Sequence, residues 1–277
     1  MKLAYRYHEN SYKEEYSDLE WISQATQERN QDSAVSQKIK NARALPLPAK
    51  DNKPNVVHTM PELNRELEEN FKTLSENVAQ ANAEDGTQVF TITSATSGEG
   101  SSTIAYFLAL KLAQQKSNQS RTQNGQEKKN GVLLIDANPR RPVQHQFFGI
   151  HQQAGLANIS LVDSKTSYAD RENDLYLLTS RTSAAQWRRL IESGRFQSLI
   201  NKLRSKFEYI LIDAPSVLGN PETAALSKLT DGVLLIIKNN PLRREVIVAA
   251  RHQLSINNVK ILGAVFNNQH DSIPQKI

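Results

Sequence analysis

The run Thr93-Ser94-Ala95-Thr96-Ser97-Gly98-Glu99-Gly100-Ser101-Ser102-Thr103 has the residue types of a phosphate-binding loop, but Ser101 stands where such a loop carries its lysine. Glycines let the backbone curl until its N–H groups converge on an anion, and a helix starting at the end of the loop adds its positive pole. The lysine places a point charge on the β/γ-phosphates, and the next hydroxyl, here Ser102, reaches Mg²⁺. Backbone donors and hydroxyl are retained in this sequence, and the cation is lost. A charge-assisted contact is worth about 1.5–3 kcal/mol, so its loss lowers affinity about 10- to 200-fold. Transfer chemistry suffers more, because it relies on cationic stabilisation of the transferring group. The candidate contacts to ATP or ADP are Gly98, Glu99, Gly100, Ser101, Ser102 and Thr103, with binding of nucleotide and Mg²⁺ weakened or lost. A glycine-rich turn without a ligand is the plainer alternative.

These residues need a strand before them and a helix after them. Val89-Phe90-Thr91-Ile92-Thr93 is a β-rich apolar run, and residues 103–116 carry Ile104, Phe107, Leu108 and Leu112 at helical spacing. Two more buried-strand patterns end in carboxylates, Gly131-Val132-Leu133-Leu134-Ile135-Asp136 and Phe207-Glu208-Tyr209-Ile210-Leu211-Ile212-Asp213. Near-continuous apolar strands suit a parallel sheet covered on both faces, and its strand C-termini are where ligands bind. Asp136 and Asp213 are therefore expected to face the same crevice as Ser102 and to serve a metal. The bland alternative is that each caps the turn after its strand. Helix faces at Phe196, Leu199, Ile200 and Leu203, and at Val246, Ile247, Ala250 and Leu254, complete the alternation. The expected fold is α/β, a doubly wound, mainly parallel sheet of P-loop NTPase type with helices on both faces.

Composition divides the 277 residues unevenly. Residues 1–60 read as a polar arm and linker. Tyr5, Tyr7, Tyr12 and Tyr16, half of the eight tyrosines, fall near its start, and Pro46, Pro48 and Pro54 near its end. The tyrosines suit loose packing on a neighbour, or phosphorylation by another kinase. Residues 61–268 form the expected domain, with 117–130 a polar surface insertion and 269–277 a short tail. No apolar run nears the ~20 residues that cross a bilayer, and there is no cysteine, so the expected place is the cytoplasm. The formal charge of +5 is interspersed rather than massed, so nucleic acid is not an expected partner. Trp187-Arg188-Arg189 and Leu242-Arg243-Arg244 read first as solvated faces, then as contacts for anionic lipid. The six histidines show no metal-spaced pair.

A series of motifs in order carries a family resemblance. Ile92-Thr93-Ser94-Ala95 leads to Gly98-Glu99-Gly100-x-Ser102-Thr103, then Leu133-Leu134-Ile135-Asp136-Ala137-x-x-Arg140-Arg141-Pro142. Phe148-Gly149, Gly155-Leu156, Tyr209-Ile210-Leu211-Ile212-Asp213-x-Pro215, Asp231-Gly232-Val233-Leu234 and Leu262-Gly263-x-Val265-x-Asn267 follow. The chain thereby resembles the bacterial tyrosine kinases of capsule and exopolysaccharide synthesis, a CpsD/CapB-like branch of the ParA/MinD-type P-loop ATPases. The resemblance implies a metal role for Ser102, Asp136 and Asp213 and a catalytic setting that includes Asn138, Arg140 and Arg141.

Departures from that pattern fall at its working positions. The family loop has a lysine at Ser101 and a second carboxylate at Asn138, which here can neither accept a proton as a base nor carry charge. The family's Glu-x-x-Arg-x-x-Arg assembly motif aligns with Glu69-Asn70-Phe71-Lys72-Thr73-Leu74-Ser75, where Lys72 lacks the guanidinium fork and Ser75 the charge. The tail of the family is tyrosine-rich, and residues 268–277 contain no tyrosine. What the resemblance implies is a catalytically impaired regulator of polysaccharide synthesis or export. It would lie at the inner face of the cytoplasmic membrane through a membrane-anchored co-polymerase (chain-length determinant) protein. An active kinase paralogue and self-association through the degraded motif are the other implied partners. An active tyrosine kinase or ATPase, with Arg140 and Arg141 replacing the lost cation, stays open, as does a ParA/MinD-type positioning ATPase.

Overall fold

Residues with β-branched and aliphatic side chains in unbroken runs build the sheet that the sequence predicts. The computed structural model describes residues 2–4, 63–117, 129–149, 167–170, 174–179, 182–238 and 244–267. Eight strands are described: β1 (Lys2–Ala4), β2 (Val89–Ser94), β3 (Asn130–Asp136), β4 (Ser167–Asp170), β5 (Leu175–Leu178), β6 (Phe207–Asp213), β7 (Gly232–Lys238) and β8 (Ile261–Asn267). Their order is β1-β8-β7-β2-β6-β3-β5-β4. The six from β8 to β5 run parallel, and β1 and β4 are antiparallel edges. Because β6 lies between β2 and β3, the ends Ser94, Asp213 and Asp136 come side by side, with Asp136 paired in register with Asp213.

Alternate residues of these strands feed opposite cores, as the two-residue period of a strand requires. On one face Phe90, Ile92, Leu134 and Leu211 pack under helices α1 (Arg65–Asp85) and α2 (Ser101–Ser117), through Phe71, Leu74, Val78, Ile104, Leu108 and Leu112. On the other, Val89, Leu133, Ile135, Ile210 and Ile212 meet Trp187, Phe196, Leu199, Ile200 and Leu203. Those side chains come from two further helices, Ala184–Glu192 and Arg195–Lys206. With the short helix Gln144–Phe147 taken as α3, these are α4 and α5, followed by α6 (Pro221–Ser227) and α7 (Arg244–Ser255). The α7 face presents Ala250 and Leu254 to Val233, Leu235 and Ile237.

At the strand N-termini a carboxylate closes the architecture. Asp231, just before β7, accepts hydrogen bonds from the Gln88 and Val89 backbone N–H groups, each at 2.8 Å. It also takes both arms of the Arg204 guanidinium, at 2.8 and 2.5 Å. Burial alone would raise this carboxyl, but Arg204 and the two N–H groups hold it below the ordinary value.

The polar arm expected over residues 1–60 needs one correction, because Lys2–Ala4 pairs with β8 as an edge strand. Paired backbone at a sheet edge is not a property that composition reveals. The tyrosine cluster, the linker at 24–60, residues 118–128 of the insertion, Gly155-Leu156 and the tail 269–277 lie outside the described residues. The described residues all belong to one unit, residues 1–5 and 57–277. Among them, no helix is long and apolar enough to cross a membrane.

Candidate nucleotide and metal site

The loop between β2 and α2 has the shape that phosphate binding requires. Gly98 and Gly100 hold φ values of 87° and 92°, open to glycine at little cost. A Cβ on Gly100 would collide with the Asn267 side-chain amide, which donates to the Glu99 carbonyl at 2.9 Å and so pins the loop to the end of β8. The Gly100 carbonyl accepts from Ile104 N–H, which starts α2 at Ser101, two residues earlier than the periodicity placed it. The first turn of such a helix has N–H groups with no partner inside the helix.

Glu99 departs from its expected place among the ligand contacts. Its side chain is 3 % exposed and turns back into the loop, accepting from the Ala95 and Thr96 N–H groups at 3.0 and 3.4 Å and from the Thr96 hydroxyl at 2.9 Å. It braces the front half of the loop. Ser101 and Thr103 sit half-buried in the opening turn of α2, beside Ser102.

Ser102, Asp136 and Asp213 do come together. The Ser102 hydroxyl donates to Asp213 Oδ1 at 3.1 Å, and both aspartates are fully buried. Burial and the facing Asp136 carboxylate push the Asp213 carboxyl up to about 7. Burial likewise raises Asp136, to about 6, against the pull of three backbone N–H groups. Those three are Asn138 on Oδ1 at 3.1 Å, and Val143 and Gln144 on Oδ2 at 3.0 and 3.2 Å. Asp136 thus caps the turn after β3, as the plainer alternative had it, while staying next to Asp213.

The remaining predicted residues serve other ends. Asn138 Oδ1 accepts from Arg141 N–H at 3.2 Å, closing an Asx-type turn. Arg140, foreseen as a stand-in for the lysine, donates to Asn220 Oδ1 at 2.7 Å and to Glu222 Oε1 at 3.1 Å on α6. The Arg141 side chain is exposed. Lys111, further along α2, binds Glu68 of α1. In the aligned assembly motif Glu69 and Lys72 are exposed, but Ser75 is fully buried and accepts from Gln115 of α2 at 2.8 Å.

One residue escaped sequence reasoning altogether. Gln144 opens α3 and is fully buried; its Nε2 donates to Asp213 Oδ2 at 2.7 Å and to the Ser102 carbonyl at 2.9 Å, and its Oε1 is buried without a partner. Tyr106 of α2 holds α3 in place with ring contacts to Phe147 and Phe148 at 5.8 and 4.7 Å. A glutamine in the run Pro142-Val143-Gln144-His145-Gln146 carries no motif, and nothing in its local pattern marked it as buried.

A Ser hydroxyl and two carboxylates offer the oxygen ligands that Mg²⁺ takes, and the orphaned Gln144 oxygen beside them is an acceptor for its water shell. Among the described residues no group of three or more His, Cys, Asp or Glu forms a metal cluster. A cation here would draw on Ser102, water and phosphate oxygens besides the aspartates. A depression lined by Thr182, Gln186, Arg189, Leu190, Glu192, Ser193 and Arg195, on and beside α4 and α5, includes no residue of the phosphate-type loop.

No protein-family model matches the sequence. The chain is 29 % identical over 204 residues to the tyrosine-protein kinase YwqD of Bacillus subtilis, covering 73 % of this chain and 81 % of that one. It is 27 % identical over 219 residues to CapB of Staphylococcus aureus, which bears a tyrosine-protein kinase name, covering 77 % and 89 %. Among solved structures, the chimerical protein CapA2B2 superposes with a TM-score of 0.62 at 27 % identity, over 77 % of this chain and 88 % of that one. The fold extends, at lower identity, to bacterial tyrosine kinase domains and to ATPases of the MinD type.

Proposed function

We propose, for a chain whose homologues are bacterial tyrosine-protein kinases, that it is a catalytically impaired member of that group. It regulates capsule or exopolysaccharide synthesis or export by docking on a membrane co-polymerase partner at the cytoplasmic face. Nucleotide binding is weak or absent. The observation that carries this reading is the fate of the cations around the loop. Ser101 replaces the lysine, Arg140 is spent on Asn220 and Glu222, and Lys111 on Glu68. Two cations of the region are thus engaged elsewhere, and among the described residues there the exposed Arg141 is the one left that could offer the charge a transferring phosphoryl group needs.

When bound, Mg²⁺·ATP would supply the phosphoryl group and the metal charge. In this chain Ser102 and Asp213 would hold the metal, with Asp136 behind them. Asn138, tied to Arg141 N–H, can neither take the proton of a tyrosine hydroxyl nor hold it. Nucleotide occupancy then biases docking rather than driving turnover.

Titration calorimetry of ATP and ADP, with and without Mg²⁺, on the native chain and on Ser101→Lys tests the reading. Weak or no native binding, strengthened by the lysine, is expected; tight native binding with phosphotransfer to tyrosine would overturn it. Co-purification with a polysaccharide co-polymerase tests the docking half, and recovery with DNA or a division protein instead would redirect it. The second reading, an active kinase or ATPase, is favoured by one observation, the intact Ser102, Asp136 and Asp213 grouping.

A further inference from the structure

Gln144 touches every member of the metal end of the site. Its backbone N–H donates to Asp136 Oδ2 at 3.2 Å, and its side-chain Nε2 bridges Asp213 Oδ2 and the Ser102 carbonyl at 2.7 and 2.9 Å. The side chain is fully buried, and its Oε1 has no partner. An apolar side chain of similar volume would fill the same space without that orphaned oxygen, which is costly when left buried and unbonded. Packing alone does not explain an amide here. A donor to carboxylates that ligate metal, which fixes their orientation, does.

We propose that Gln144 is a positioning residue for the metal end of the nucleotide site. Its N–H₂ orients Asp213 and ties it to the first turn of α2, and its oxygen accepts from a water of a hydrated divalent cation. Mg²⁺ keeps several of its waters when bound by one or two carboxylates, so such a donor comes with the ion. The seat is built from outside, by the Tyr106 ring against Phe147 and Phe148. This inference rests on the weak-binding form of the reading above. It goes beyond it by assigning to this chain's own glutamine the support of a metal whose partner lysine is gone.

The test measures ADP affinity with and without Mn²⁺ on the full chain, and on Gln144→Leu and Gln144→Met. The ratio of the two affinities is the coupling between metal and nucleotide. Both variants are expected to cut that ratio about 10- to 100-fold, with the larger loss in the presence of Mn²⁺. An unaltered ratio would overturn the proposal. So would an equal loss with and without Mn²⁺, since that marks a packing role only. If the native chain shows no Mn²⁺ effect, or binds no ADP even at high concentration, this inference fails, whereas the impaired-kinase reading stands and is decided by Ser101→Lys. Far-UV circular dichroism reports the fold of each variant, and the unbranched Met serves should Leu fail to pack.

Discussion

Two carboxylate sites at opposite ends of the same sheet behave in opposite ways. At the strand N-termini Asp231 meets a guanidinium and two backbone N–H groups, and its carboxyl is held down. At the C-termini Asp213 and Asp136 face one another in register with only neutral donors, and both are raised. The first end is self-sufficient; the second has no cation of its own among the described residues. Buried carboxylates raised in this way mark a candidate functional site.

The widest contrast between the ends is expected from adding charge to the deficient one. Ser101→Lys should raise ATP affinity about 10- to 200-fold, read by calorimetry, because it restores a single charge-assisted contact. Removing charge from the self-sufficient end should cost stability instead. Arg204→Met leaves Asp231 without its fork and should destabilise by about 1.5–3 kcal/mol, read from urea unfolding.

Acidity should then separate the ends without any substitution. Between pH 3.8 and about 7 the folded chain holds protons on Asp213 and Asp136 that the unfolded chain has released. Their contribution therefore falls as pH rises through that window. The contribution of Asp231 runs the other way: it is present above the unfolded value and is lost as pH falls through the depressed one. Asp213→Asn should accordingly stabilise the metal-free protein above pH 7, raising its melting temperature by about 2–4 °C per kcal/mol of relief, and abolish any Mg²⁺ effect. The smallest effect belongs to Asn138→Asp. An aspartate can still accept from Arg141 N–H, so stability should move by no more than about 0.5 kcal/mol.

How much of this was legible beforehand depends on the kind of signal. Apolar runs gave the strands β2, β3 and β6, because burial on both faces leaves a continuous pattern. The strand ends placed Asp136, Asp213 and Ser102 in one crevice, since a parallel sheet gathers its C-termini. The inward turn of Glu99, the engagement of Arg140 by α6, and Gln144 were not legible. Each depends on contacts between segments distant in sequence, Arg140 with Glu222 and Gln144 with Asp213, and no local periodicity encodes such a meeting. The edge strand Lys2–Ala4 escaped for a related reason, as its partner β8 lies at the other end of the chain.

The buried Glu99 carboxylate bears on how easily this loop changes its chemistry in evolution. A loop braced by its own side chain on the Ala95 and Thr96 N–H groups, and fastened to β8 by Asn267, keeps its form without an occupant. Little ordering is then left for a phosphate to impose. Loss of the lysine need not have been followed by decay of the loop around it. A lysine at position 101 would therefore enter a loop whose bracing contacts, made by Glu99 and Asn267, do not involve that position.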